Sequence, residues 1–140
     1  MKTIHLPANT RSQFLAGISE PAVAPFTVHQ LQKHPRSTSI LLDRDLRELE
    51  FWARELQFYL RMAEMDKQFQ ISILPENPSD DVEKEQFFSI QCDRLAALTQ
   101  LLELQQPTED DHRLILLATP TALFQPCPRP EFLQTHEIRI

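Results

Sequence analysis

Two apolar rhythms alternate through the middle of the chain. Short strand candidates occur at Ser39-Ile-Leu-Leu-Asp43, at Gln70 to Leu74, which Pro75 breaks, and at Leu114-Ile-Leu-Leu-Ala118. The apolar runs of the first and last are the form taken by strands buried in a parallel sheet. Between the first two, apolar residues return every three or four positions. Leu46, Leu49, Trp52, Leu56, Tyr59, Leu60 and Ala63 share one side of a helix, while Arg47, Glu50, Arg54, Glu55, Arg61 and Glu64 fall mostly on its solvated faces. Asp45 and Glu48 have capping-box spacing at its start. A further helix, from about Lys84 to Leu104, places Phe87, Phe88, Leu95, Leu98 and Leu102 toward a core. Strand, helix, strand, helix, strand predicts an α/β layer: a mainly parallel sheet flanked by helices.

The flanking segments carry weaker patterns. Thr3 to Leu6 reads as a short strand stopped by Pro7, and Arg11 to Ile18, capped by Thr10, as a short helix with Phe14, Leu15 and Ile18 on one side. Pro21 to Lys33 is a second helical stretch, closed by His34-Pro35. Glu76 to Glu85 is an acidic loop running into a helix start, where the dipole favours acids. Gln105 to Asp111 reads as a polar loop. Thr121 to Gln125 fits one helical turn, after which Pro126, Pro128 and Pro130 are expected to stop regular structure. Glu137 to Ile140 alternates like an edge strand, and ending in mid-pattern hints at a segment of something longer.

Composition narrows the chemistry. With 140 residues the chain has room for one domain, 1–140. A net charge of −6 disfavours direct nucleic-acid binding, which rests on clustered Lys and Arg. No apolar run is long enough to span a bilayer and no charged-then-apolar leader opens the chain, so a cytoplasmic location without membrane partners is expected. The sharpest count is one glycine against 11 prolines. Phosphate loops need glycine because the backbone must approach the phosphates closely. With Gly17 alone, neither G-x-G-x-x-G nor G-x-x-x-x-G-K-[ST] can be written, and no cofactor is expected.

Few residues remain as candidates for reactivity. Asp43 and Asp45 stand at the carboxyl end of a strand, where α/β folds often place functional groups. A phosphoacceptor domain using either is conceivable, but the acidic pair and lysine that such chemistry needs after other strands are missing, and helix capping is the better reading. The five histidines show no metal-ligand spacing, and Cys92 and Cys127 stand apart, with no CxxC and no basic setting. No catalytic or metal-binding residue is therefore assigned. Phe51-Trp52 and Phe87-Phe88 cannot all face one core, so some of these rings are available to a binding surface.

The order of segments resembles the N-terminal domain of the bacterial transcription-repair coupling factor, itself similar to the first domain of the excision-repair helicase. Ile4-His-Leu-Pro7 looks like the family's opening strand, and Leu15-Ala-Gly17 with Pro21 to Leu31 like its first turn and helix. Ser39 to Asp43 and Leu46 to Leu60 resemble the next strand and helix, and Ile73-Leu-Pro75 a strand leading into a Leu-Pro loop. Cys92-Asp-Arg-Leu-Ala-Ala-Leu98 is similar to the family's Arg-Leu-x-x-Leu helix. Leu114 to Ala118, Thr121-Ala-Leu-Phe-Gln125, Cys127-Pro128 and Glu131-Phe-Leu133 match its closing strand and the sequel. The family's Leu-Pro-Tyr-Asp loop is replaced by Leu74-Pro-Glu-Asn-Pro-Ser79.

The resemblance implies a degenerate RecA-like P-loop fold. Aligned from Gly17, the phosphate-loop positions read Gly17, Ala22, Val23 and Ala24, without the second glycine, the lysine or the magnesium-binding hydroxyl. It further implies a non-catalytic scaffold or regulatory module of transcription-coupled DNA repair; the alternative that the residues leave open is a stand-alone α/β adaptor or a phosphoacceptor domain using Asp43 or Asp45. The full-length family is an ATP-dependent DNA translocase whose motor lies in other domains. Its partners are then those other domains or nucleotide excision repair proteins. The insertion domain by which the family contacts the damage-recognition ATPase has no counterpart in this chain, and no partner-binding residues are carried over.

Overall fold

The computed structural model describes residues 2–5, 13–16, 19–33, 39–104 and 112–135. Strands β1 (Lys2–His5) and β2 (Gln13–Ala16) form an antiparallel pair. A 3-10 turn, Glu20–Ala22, leads into α1 (Val23–Lys33). Then follow β3 (Ser39–Leu42), α2 (Leu46–Met62), β4 (Phe69–Leu74), α3 (Lys84–Leu104), β5 (Arg113–Ala118), α4 (Pro120–Phe124) and α5 (Pro130–Thr135). The chain is thus α/β, with β3, β5 and β4 pairing in that order in a parallel sheet flanked by helices.

The most continuously apolar strand takes the centre. Every residue of β5 from Leu114 to Ala118 is buried, because helices cover it on both faces. One face carries Ile115, Leu117 and Phe69, with Leu41, Ile71 and Ile73, against Leu49, Trp52, Leu56 and Leu60 of α2 and Ala24, Val28 and Leu31 of α1. Each fully buried leucine there contributes about 1.5–3 kcal/mol by leaving water. The other face carries Leu74, Leu114, Leu116 and Ala118 against Ala97, Leu98 and Leu101 of α3 and Ala122 of α4. α3 lies over β4 and β5, so Ile40 and Leu42, which flank Leu116 and Ala118 in the register, stay half exposed.

Helix α2 is closed at both ends by its own sequence. The Asp45 carboxylate accepts from the Glu48 amide at 3.0 Å, as the capping spacing predicts. At the far end Glu64 takes φ 57°, with Met65 N bonded to Leu60 O and Glu64 N to Arg61 O. This is a Schellman cap with glutamate at the position that favours glycine, and its buried Leu60 and Met65 supply the usual apolar contact.

Three local expectations are corrected. Residues 13–16 within the expected helix Arg11 to Ile18 are strand β2, since register pairing with β1 outweighs a three-residue apolar pattern that fits either form. The proline-rich stretch does not end regular structure: Pro130 opens α5, at the first-turn position that needs no backbone donor. Phe88 is 67% exposed rather than core, since its neighbour Phe87 turns inward and two consecutive residues cannot share one helix face. Gly17, the loop Gln105 to Asp111 and the expected strand Glu137 to Ile140 lie outside the described residues. Among the described residues, no helix is long and apolar enough to cross a membrane.

Candidate functional site at the carboxyl edge of the sheet

Parallel α/β sheets present ligands at the carboxyl ends of their strands. In this chain that edge, over β4 and β5, is occupied by a polar lock. Arg94 of α3 is 3% exposed. Its Nη1 donates to Pro75 O at 2.7 Å, and its Nη2 to Ala122 O at 3.1 Å and to Gln125 O at 3.4 Å. The guanidinium fork suits this task, since it donates in several fixed directions from one plane. Burial lowers its pKa from the ordinary value and the neighbouring Cys127 sulfur acts in the opposite sense, yet an arginine stays charged.

Two further bonds complete the lock. The Gln125 side-chain oxygen accepts from the Asn77 amide at 2.6 Å, tying the loop after β4 to the end of α4. Thr119 caps α4, its Oγ1 accepting from Ala122 N at 3.1 Å and donating to Glu76 Oε1 at 2.7 Å. The hydroxyl is thereby used on both sides. Charged and polar groups here are spent on holding three loops together: Arg94 donates to backbone carbonyls, and Asn77 and Thr119 to the side chains of Gln125 and Glu76.

Over β3 the edge is arranged differently. Asp43 Oδ2 accepts from Trp52 Nε1 at 2.6 Å and Oδ1 from the Arg44 amide at 2.6 Å. Each oxygen accepts one hydrogen bond, which ties the end of β3 to the start and the inner face of α2. Asp45 is held as the cap of α2. Among the described residues, no group of three His, Cys, Asp or Glu side chains is placed to hold a metal ion.

The positions matched to a phosphate loop lie elsewhere. Ala22 ends the 3-10 turn, and Val23 and Ala24 open α1. Ala24 is in the core with Val28 and Leu31, and Val23 packs against it. These side chains serve burial, where a nucleotide site would present a cation and a hydroxyl. Strand β2 precedes them, paired with β1 in a sheet separate from the three parallel strands.

Arg94 was legible only as a letter of the Arg-Leu-x-x-Leu pattern. One signal marked it out: it interrupts a stripe of Phe87, Ile90, Ala97 and Leu101 at helical spacing, and a charge inside an apolar stripe is buried only with partners. In comparisons with known proteins, no family model, no curated protein and no solved structure matches this chain.

Proposed function

We propose that this chain is a non-catalytic docking module of the transcription-repair coupling factor type, built on a RecA-like layout whose phosphate loop has degenerated. One observation carries the reading. Three separately placed pieces of the resemblance meet at a single guanidinium: Pro75 of the Leu-Pro loop, Arg94 of the Arg-Leu-x-x-Leu helix, and Ala122 and Gln125 of the stretch after the closing strand. Pro75 and Ala122 share one edge because β4 and β5 are neighbours, and the resemblance adds the arginine that joins them. The same lock fills the sheet edge where a nucleotide or substrate would sit, which accords with a scaffold role.

Calorimetry of the chain with magnesium and ATP is expected to show no binding up to millimolar nucleotide, and micromolar affinity would overturn the non-catalytic reading. Cross-linking in cells of the source organism, with identification of what is joined to this chain, tests the biological setting. Translocase domains or excision-repair proteins are expected. Recovery of other proteins alone would replace the repair assignment.

A further inference from the structure

We propose that the free edge of β4 is a docking slot for an extended segment of a partner protein, which joins the sheet as a fourth strand. This deepens the docking reading and rests on it, but not on the repair setting. Among the described residues, strand β4 pairs with β5 on one side and with no strand on the other. Arg113 N donates to Gln68 O, so in a parallel ladder the backbone groups of residues 70, 72 and 74 also turn toward β5. Those of Ile71 and Ile73 therefore point outward. Such an edge is a template for another strand.

Here the edge is set in a groove rather than on an open flank. Helices α2 and α3 stand over opposite faces of the sheet and both wall a groove of about 880 Å³ along β4. Ile71 and Ile73 line it from one face and Ser72 from the other, so the groove follows the strand edge itself. Ala53 and Phe58 on the α2 wall, and Ile90 and Ala97 on the α3 wall, offer apolar contact to side chains alternating up and down from an added strand. Phe58 is 57% exposed there, a large ring without cover.

The charges around the groove define the occupant. Both helices run antiparallel to β4, because each returns the chain between parallel strands. Arg61, in the last turn of α2, therefore lines the half toward the start of β4, Arg54 the middle, and Glu50 and Asp93, the latter beside the Arg94 that reaches Pro75, the half toward its end. All four are exposed, and their side chains make no hydrogen bond or ion pair among the described residues. The complementary segment is extended, apolar at alternate positions, acidic from the end beside Arg61 toward the middle beside Arg54, and basic at the other end.

The test uses the whole chain, labelled with ¹⁵N. The probe is a seven-residue synthetic peptide of alternating valine and threonine between an aspartate and a lysine. Binding is expected to slow amide exchange at Ile71 and Ile73 and to weaken with salt. The double variant Arg54→Glu, Arg61→Glu, on an exposed helix face, is expected to bind about tenfold more weakly while keeping its far-ultraviolet spectrum. The proposal fails if millimolar peptide does not bind, if binding leaves those two amides unchanged, or if the double variant binds equally well. It also fails if the two amides are already protected without peptide, which would mean that this chain or a second copy fills the slot. Such failures leave the cross-linking result on repair partners untouched.

Discussion

Arg94 shows how a single residue can be indispensable without being reactive. Arg94→Met keeps most of the volume but leaves the carbonyls of Pro75, Ala122 and Gln125 without their donor. Unfolding in urea is expected to show a loss of about 2–4 kcal/mol, from unmet buried acceptors. Arg94→Lys should recover part of this, because an ammonium on a flexible stem cannot span the same directions. Arginine takes up or releases no proton near neutrality and thiols ionise only at higher pH, so the loss should be the same at pH 6 and pH 7. Glu64 is the converse case. Its positive φ is a glycine position in a chain whose only glycine is Gly17. Glu64→Gly is expected to raise stability by about 0.5–1 kcal/mol, read as a higher urea midpoint with an unchanged slope.

At the level of elements, residues 39–104 and 113–118 were readable because their apolar periods are long and unambiguous. Leu49, Trp52, Leu56 and Leu60 face the core as their spacing requires, and β5 is central because it is apolar on both faces. The edges of the pattern were less informative. Four residues of β2 fit helix and strand alike, and only pairing with β1 decides between them. Pro130 carries the same letter as a stop signal and acts as a start. The lock around Arg94 was beyond reach, because its acceptors are backbone carbonyls 19 to 31 residues away that no side-chain pattern reports. Between β3 and α2 the Asp43–Trp52 bond joins strand end to helix face. Trp52→Phe keeps the apolar ring and removes the donor, so a loss of about 1–2 kcal/mol is expected in thermal or urea unfolding.

For the whole molecule, charge and open surface set the behaviour. The net charge of −6 keeps copies apart at long range, while among the described residues both outer strands of the three-stranded sheet have a strand on one side only. On β3 the side chains of Ile40 and Leu42 add apolar area to that edge, and on β4 the flanking helices α2 and α3 wall the edge into a groove. The strand order has a consequence for biosynthesis. Strands β3 and β4 do not touch each other; each is held by β5, which is made after both. A growing chain on the ribosome thus carries two finished strand–helix units with nothing between them. Its sheet appears in one step when residues 113–118 emerge, and the clasp from Arg94 closes only once Gln125 has followed. Until then α2 has α1 but not β5 against its apolar face and α3 has neither β5 nor α4, so the interval between making Leu104 and making Ala118 leaves the most apolar helix surface open to water.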